Sequence, residues 1–288
     1  MRLPDFDFHA PTSLAEVFDL LDEHGGTAML MAGGTDVLPS LKLGRKSCGH
    51  LVWLKRVPGL DGIEYDDAAG LSIGATALLE DVRAFPATRE HYAALSDAIG
   101  GLATPQTRAK ATVVGNICNA SPCADTATPL LVYGARARVH SRGGTRDVPL
   151  EEFFKGPRRT VLGPGDVVES IRVPKPAQDE RAAFLKFSPR SKVDIAAVNV
   201  SVGITFDGGT IGHARIFLGT VAPTPVRAPH AEAVLKGAKP DAQLFERAAD
   251  AARGECAPIT DHRATKEYKT HMVGVLVRRA LERLVVQA

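Results

Sequence analysis

The amino-acid sequence predicts an α+β fold, and three features of the chain support that prediction. Short strand-like and helix-like segments follow one another in the first half without a regular β–α–β rhythm. Two stretches in that half have the pattern of β-hairpins, and the second half places its apolar strands before its helices. The chain has 288 residues, 44% hydrophobic and 24% charged, which suits a globular protein with a sizeable core.

The first unit reads as helix, strand, glycine turn and a second helix-like segment. The stretch TSLAEVFDLLDEHGG predicts a helix, because Ser13 followed by Glu16 is a capping-box pattern and a glycine pair ends the apolar periodicity. The run TAMLM predicts a short buried strand, and the turn at Gly33 and Gly34 follows it. The segment DVLPSLKLG is partly helical in pattern, although Pro39 limits the helix.

Strands and hairpins dominate the next part of the chain. HLVWLKRV predicts a strand, and GIEYDDAAGLSIGA predicts a hairpin that bends over residues 66–70. LLEDVRAF and YAALSDAIGGL predict helices. A second hairpin is expected around Gly143 and Gly144, and DVVESIRVP predicts a strand that Pro174 ends.

The charged, proline-containing segment PKPAQDERAA predicts a linker. We therefore expect one domain over residues 1–176 and a smaller one over residues 177–288. In the second domain, two or three apolar strands with a turn at residues 207–209 precede three helices. The apolar face predicted for the closing helix consists of Val273, Leu276, Val277, Ala280 and Leu284.

Composition excludes several classes of function. The net charge of +2 and the aromatic content of 6% predict no nucleic-acid-binding face. No segment approaches the roughly 20 apolar residues of a membrane span, and residues 1–11 lack a secretory signal, so we expect a cytoplasmic protein. The spacing of the four cysteines (Cys48, Cys118, Cys123 and Cys256) predicts free thiols and no metal site.

The segment AGGTD, residues 32–36, is the first candidate ligand-binding loop. Backbone N–H groups at Gly33, Gly34 and Thr35 can point at an anion because no glycine side chain blocks its approach. Asp36 is expected to point away from such an anion or to cap the next helix. A plain structural turn remains the alternative, because the segment has neither of the standard nucleotide-binding glycine patterns.

The segment ATVVGNICNASPCADTATPLL, residues 111–131, is the second candidate. Its many polar residues predict a long ordered loop of roughly 20 residues, a length that is usually functional inside a compact domain. The donors and acceptors that it offers to a polar ligand are Asn116, Asn119, Ser121, Asp125 and Thr126. The alternative is a loop braced only by its own side chains.

A third segment, FLKFSPRSKVDIAAV, places Lys186, Arg190 and Lys192 before a buried strand, where they can balance an anion or form a solvated strand edge. The chain lacks the H-E-x-x-H motif, and its nine histidines are scattered along the sequence. We therefore expect no catalytic residue and no metal ligand, and reactive atoms that belong to a cofactor.

These segments, together with FLGTVAPTPVRA further on, resemble in order and spacing the FAD-binding medium subunit of molybdenum hydroxylases. That family includes the medium chain of carbon monoxide dehydrogenase, the flavin domain of xanthine dehydrogenase and the β subunit of 4-hydroxybenzoyl-CoA reductase. The similarity runs from about Pro4 to the last helix. It implies a two-lobed FAD-binding domain of the vanillyl-alcohol-oxidase type, followed by a smaller domain of sheet and helices.

The resemblance also implies which residues bind FAD. The first diphosphate loop matches Ala32, Gly33, Gly34, Thr35 and Asp36. The second matches Thr112, Val113, Val114, Gly115 and Asn116. The residues that match positions near the flavin are Ser121, Asp125, Leu162 and Lys186. Val114 stands where the family usually has glycine, and a side chain there can narrow the approach to the diphosphate.

By resemblance, the chain is an oxidoreductase subunit that relays electrons between the [2Fe–2S] clusters of a small subunit and NAD or another acceptor. A large subunit would hold the molybdenum cofactor, and the complex would be a dimer of heterotrimers. Two alternatives stay open. One is a stand-alone flavin oxidoreductase of the same fold, and the other is a non-catalytic assembly subunit whose flavin site has decayed.

Overall fold

The computed structural model describes residues 2–191 and 194–286. Within those residues the chain forms helices and strands in alternation, and the strands group into four sheets. The mixed pattern confirms the predicted α+β class. None of the described helices is both long enough and apolar enough to cross a bilayer.

A three-stranded parallel sheet forms the first lobe, with the strand order β1–β3–β2. Its elements are β1 (Asp7–His9), α1 (Leu14–His24), β2 (Ala28–Met31), α2 (Val37–Lys42) and β3 (His50–Trp53). The predicted cap of α1 is confirmed, since the Ser13 hydroxyl accepts a hydrogen bond from the backbone N–H of Glu16. The Glu16 carboxylate accepts from the N–H of Thr12, one residue earlier than in the standard capping box.

A five-stranded antiparallel sheet forms the second lobe, in the order β4–β5–β10–β6–β7. Its strands are β4 (Ile63–Asp66), β5 (Gly70–Gly74), β6 (Arg136–Ser141), β7 (Gly144–Pro149) and β10 (Val167–Val173). Both predicted hairpins are confirmed, as β4 pairs with β5 and β6 pairs with β7. A small hairpin of β8 (Phe154–Gly156) and β9 (Arg159–Thr160) lies between β7 and β10 in the chain.

Seven short helices surround the two lobes. They are α3 (Leu79–Ala84), α4 (Pro86–His91), α5 (Ala93–Gly100), α6 (Pro105–Arg108), α7 (Val113–Cys118), α8 (Ala127–Val132) and α9 (Leu150–Phe153). The prediction of a long loop over residues 111–131 is wrong, because α7 and most of α8 lie in it. Pro129 is compatible with α8 because it falls in the first turn, where backbone N–H groups have no partner within the helix.

The last part of the chain is an antiparallel sheet between two layers of helices. Its elements are β11 (Arg181–Phe187), β12 (Val198–Asp207), β13 (Thr210–Gly219), β14 (Val226–Arg227), α10 (Pro229–Leu235), α11 (Ala242–Gly254) and α12 (Lys266–Val286). Helices α10 and α12 pack on the sheet from this part of the chain, and α5 and α8 pack on it from the first part. The boundary expected at residue 176 falls in the coil between β10 and β11.

Strand β12 shows why this sheet is covered on both sides. Val198, Val200 and Val202 alternate along it and belong to the core shared with α10 and α12. The intervening Asn199 and Ser201 are also fully buried, and both hydrogen-bond with Thr128 of α8. The apolar face predicted for the closing helix is confirmed, because all five of its residues are buried.

Candidate functional site

A cleft of about 750 Å³ lies where segments distant in sequence converge. This volume falls in the usual range of cofactor and substrate pockets. The segments that contribute lining residues include 32–37 after β2, 102–103 after α5, 111–125 around α7, 162–168 before and within β10, and 194–195 before β12. Twelve of the fourteen residues implied by the resemblance line it, and Val113 and Lys186 do not.

Gly33 explains how the first two candidate segments come together. A Cβ atom added at Gly33 would overlap the carbonyl oxygen of Lys110 and lie 2.8 Å from its carbonyl carbon. The backbone of segment 32–36 therefore packs directly on the backbone that leads into α7. Gly34 has a φ of +75°, which favours glycine. The glycine pair therefore makes a tight structural turn and also forms one wall of the cleft, so the two alternatives given for this segment are compatible.

The first segment is held from the neighbouring strand. The indole N–H of Trp53, at the end of β3, donates to the carbonyl oxygen of Ala32 over 3.2 Å. Asp36 precedes α2, but its side chain makes no capping hydrogen bond, so the second of the two roles expected for it is not observed. One carboxylate oxygen of Asp36 instead lies 3.9 Å from the guanidinium of Arg158.

The second segment is fixed by its own caps and by α3. The backbone N–H of Leu79 donates to Ala111 over 2.8 Å, and the Thr112 hydroxyl accepts from the N–H of Gly115 over 3.0 Å. Asn116 lines the cleft, and its side-chain oxygen accepts from the Thr126 hydroxyl over 2.7 Å. These bonds hold Gly115 and Asn116 at the cleft wall.

Val113 and Val114 pack into the apolar core. Val113 is fully buried and lies behind the cleft wall. Val114 lines the cleft but is only 4% exposed, because its side chain belongs to the first hydrophobic cluster. The valine at the family's usual glycine position therefore leaves most of its volume outside the cleft.

A buried ionic network joins the cleft to the last sheet. The Lys186 ammonium donates to the Asp125 carboxylate (2.8 Å), to the carbonyl oxygen of Gly101 (2.6 Å) and to that of Asp194 (3.0 Å). Asn199 donates to the second Asp125 oxygen over 3.1 Å. Burial raises the pKa of Asp125, an effect that the Lys186 ammonium opposes. Lys186 thus braces three segments of the cleft from behind.

The remaining predicted residues occupy the same wall or lie beyond it. Ser121 and Leu162 both line the cleft, and the Ser121 hydroxyl accepts from the N–H of Cys123 over 3.3 Å. Arg190 pairs with Asp194 over 2.8 Å, at an exposed position. Lys192 lies outside the described residues.

Arg158 is the most informative cleft residue that sequence reasoning missed. It lies in the turn between β8 and β9 with a φ of +60°, and its backbone N–H donates to Ala120 over 2.8 Å. Its guanidinium donates to the side-chain oxygen of Asn119 and also faces Asp36. One cation therefore contacts both candidate segments, yet no motif in the sequence distinguishes Arg158 from the adjacent Arg159.

Backbone strain is concentrated around the cleft. Within residues 2–191 and 194–286, the non-glycine residues with positive φ are Ala103, Ala120, Arg158 and Thr220. Ala103 and Arg158 line the cleft, Ala120 lies between lining residues, and the N–H of Thr220 donates to Pro122. Conformations of this kind persist only where the surrounding structure holds them, as happens at ligand sites.

The thiols at the cleft are poor nucleophiles. Burial raises the pKa of Cys118 to about 12 and also raises the pKa of Cys123. Both thiols are therefore protonated at neutral pH. The part of the cleft lining that the structure describes contains no histidine.

Comparison with known proteins agrees with this geometry. Residues 4–176 match the family described as the FAD binding domain in molybdopterin dehydrogenase, and residues 183–284 match the CO dehydrogenase flavoprotein C-terminal domain. The chain is 33% identical to the xanthine dehydrogenase FAD-binding subunit of Escherichia coli O157:H7, over 98% of each chain. It is 34% identical to the carbon monoxide dehydrogenase medium chain of Hydrogenophaga pseudoflava, over 96% of each.

Solved structures give the same result. A chain of the carbon monoxide dehydrogenase from Hydrogenophaga pseudoflava superposes with a TM-score of 0.96 at 35% identity, over 100% of both chains. A chain of quinoline 2-oxidoreductase from Pseudomonas putida 86 superposes with a TM-score of 0.94 at 27% identity, over 100% of this chain and 99% of that one. The protein is therefore a FAD-binding medium subunit of the molybdenum hydroxylase family, an oxidoreductase subunit whose cofactor is FAD.

Proposed function

We propose that this chain holds FAD between segments 32–36 and 112–116 and relays electrons between the [2Fe–2S] clusters of a small subunit and NAD or another acceptor. The observation that carries the proposal is the cleft built by the backbone contact of Gly33 with Lys110. Two segments that lie about eighty positions apart in sequence meet there and both line the cleft.

The residues at the cleft fit a diphosphate flanked by larger groups. We assign the diphosphate to the N–H groups of Gly33, Gly34 and Thr35 on one side and to segment 112–116 on the other. Charge-assisted hydrogen bonds of this kind contribute about 1.5–3 kcal/mol each. Arg158 supplies a nearby positive charge that further offsets the two phosphates.

The other residues implied by the resemblance divide into three groups with different roles in this proposal. Ala32, Asp36 and Thr112 shape the two turns, and Ser121, Asp125 and Leu162 line the part of the cleft assigned to the flavin and its ribityl chain. Val113 and Lys186 support the wall from behind. Bound FAD supplies the redox chemistry, exchanging single electrons with iron–sulfur clusters and electron pairs with an acceptor. The chain binds the cofactor and fixes its position.

We further propose that a large molybdenum-cofactor subunit and a small [2Fe–2S] subunit complete the enzyme as a cytoplasmic dimer of heterotrimers. The relatives named as a medium chain or as a FAD-binding subunit support assembly with other chains. We also propose a division of the chain into residues 1–176 and 177–288, which the coil between β10 and β11 and the two family matches support.

Purification of the tagged chain from its own cells tests this proposal. We expect two further chains, molybdenum, iron and one FAD per copy of this chain, measured by mass spectrometry and metal analysis. The isolated chain should retain FAD but turn over no small organic substrate alone. Steady substrate oxidation by the isolated chain would instead establish the stand-alone flavin oxidoreductase.

The two alternatives have less support from the cleft. A stand-alone oxidase needs a base or a covalent link to the flavin. The described lining offers protonated thiols and no histidine, and each of its four aspartates lies within 4 Å of a lysine or arginine nitrogen. A decayed flavin site was suggested by Val114, but that side chain is buried in the core. Purified protein without flavin that takes up none on addition of FAD would revive this second alternative.

A further inference from the structure

Three histidines come together in the first lobe, outside the flavin cleft. His9 ends β1, His24 ends α1 and His50 begins β3. Each offers a ring nitrogen, and the three nitrogens all lie within 4.8 Å of one another. We call this group the histidine cluster. None of its members lines the cleft.

The backbone around the histidine cluster is well defined by the parallel sheet. Strands β1 and β3 are neighbours, with Asp7 paired to His50 and His9 paired to Val52. On the other side of β3, His50 pairs with Ala28, the first residue of β2. Segment 32–36 follows the far end of β2, roughly 10 Å of strand away from His50, while Ala28 itself lines the cleft.

The rings interact with one another in a way that keeps their nitrogens close. His9 Nε2 and His50 Nδ1 are 3.1 Å apart, and the rings of His24 and His50 stack with their centroids 3.6 Å apart. The His24 and His50 side chains are 17% and 22% exposed. The cluster is therefore shielded from bulk water but still open to a small ion.

Carboxylates beside the histidine cluster add negative charge. One Asp7 oxygen lies 3.7 Å from His50 Nδ1, and one Glu23 oxygen lies 3.9 Å from His24 Nε2. Imidazole suits zinc, copper and nickel, and a carboxylate oxygen is a common further ligand of zinc. We propose that His9, His24 and His50 bind one divalent transition-metal ion of the zinc class, with Asp7 able to complete the coordination.

Small side-chain movements are enough to form such a site. Tetrahedral zinc with Zn–N bonds of about 2.0–2.1 Å places its ligand nitrogens roughly 3.4 Å apart. The separations here begin at 3.1 Å and do not exceed 4.8 Å. His24, in the last turn of α1, must turn out of its stack with His50. The ion would then cross-link β1, α1 and β3.

Zinc titration of the full chain tests the proposal. The protein should carry FAD and no polyhistidine tag, and binding should be measured by isothermal titration calorimetry. We expect one Zn²⁺ per chain, an affinity at least about 10-fold lower for His9→Ala and His50→Gln, and no change for His213→Ala. His213 is exposed on β13 and serves as the matched control.

A cobalt measurement on the unaltered chain tests the proposal even if the histidine variants fail to fold. Co²⁺ added to the unaltered chain should produce the visible d–d bands of a four-coordinate ion, and Zn²⁺ should abolish them. Equal zinc affinity in the unaltered chain and the His9→Ala, His50→Gln double variant would overturn the proposal, as would cobalt bands absent at saturation. Flavin absorbance, read in the same samples, should not change on metal removal, so failure here is separable from failure of the FAD assignment.

Discussion

Gly33 sets how closely segments 32–36 and 112–116, to which we assign the FAD diphosphate, approach each other. Gly33→Ala places a Cβ against the Lys110 carbonyl, so the segments must separate, and we expect FAD affinity to fall about 10-fold or more. Gly26→Ala is the matched control, because Gly26 is exposed and a Cβ there meets nothing within 4 Å.

The reporter for this experiment is already in the chain. Trp53 is the single tryptophan, and its indole contacts Ala32 of the first segment. Quenching of its fluorescence during FAD titration measures affinity, and circular dichroism checks that each variant folds. Equal affinity of Gly33→Ala and Gly26→Ala would show that the first segment does not touch the cofactor.

Arg158 is the second residue whose substitution should change FAD affinity without preventing folding. We expect Arg158→Ala to weaken FAD binding by roughly 10-fold, because one charge-assisted interaction is lost. Arg159→Ala, an exposed neighbour in β9, should bind FAD as the unaltered chain does. The same fluorescence titration checks this, and equal losses in both variants would point to a general effect of net charge.

Cleft residues that stand in a local motif could be predicted from the sequence. Cleft residues that only the tertiary structure brings to the site could not. Gly33, Thr35 and Asn116 stand in short patterns with a physical meaning. Arg158 reaches the cleft only because the β8–β9 turn folds over Ala120. Lys186 was assigned to the cofactor, but its charge is directed at Asp125, a contact between residues 61 positions apart.

At the scale of elements, strands and helices were predicted correctly where glycine turns or a long, periodic apolar face marked them in the sequence. The hairpins of the second lobe follow from their glycine turns, and α12 follows from its apolar stripe. The sequence did not predict helix α7, because its six residues are too few for a periodic signal. Tertiary burial, not local pattern, makes this segment helical.

Glu80 of α3 links that helix to α6 and, through Arg108, to the cleft-lining residues 102–103. Its carboxylate accepts from Arg108 over 2.7 Å, and Arg108 in turn donates to the carbonyl oxygens of Leu102 and Ala103. Hydrogen bonds from Arg108 and Arg83 lower the pKa of Glu80 from its ordinary 4.5. This stabilisation is present above pH 4.5 and is lost as pH falls through the lowered pKa.

Replacing Glu80 tests that linkage. We expect Glu80→Gln to lower the free energy of unfolding by about 1–2 kcal/mol at pH 7, with the difference shrinking as pH falls below 4.5. Urea unfolding at a series of pH values measures it. Glu64→Gln, at an exposed position on β4, is the control. A difference between Glu80→Gln and the unaltered chain that is independent of pH would contradict the linkage.

At the scale of the whole molecule, Lys186 ties the last sheet to the flavin lobes. Its side chain is 8% exposed and that of Asp125 is 5% exposed, so removing the ammonium leaves a buried carboxylate without its partner. We expect Lys186→Met to cost about 3–5 kcal/mol of unfolding free energy and to weaken FAD retention. Denaturant unfolding and flavin absorbance after gel filtration measure the two effects.

The control for this variant is an exposed pair. Lys175 contacts Asp67, whose side chain is 83% exposed, and Lys175→Met should change stability by no more than about 1 kcal/mol. Similar losses for both lysines would mean that burial of the Lys186–Asp125 pair has no special effect. Asp125→Asn in the Lys186→Met background should recover part of the loss, because it removes the unpaired charge.

The most direct test of the central claim is a crystal structure of the chain reconstituted with FAD. We expect the diphosphate to lie between residues 32–36 and residues 112–116, within hydrogen-bond distance of backbone N–H groups from both segments. Arg158 should lie on the same side of the cleft as the phosphates. A diphosphate that contacts only one segment, or FAD bound outside this cleft, would contradict the claim.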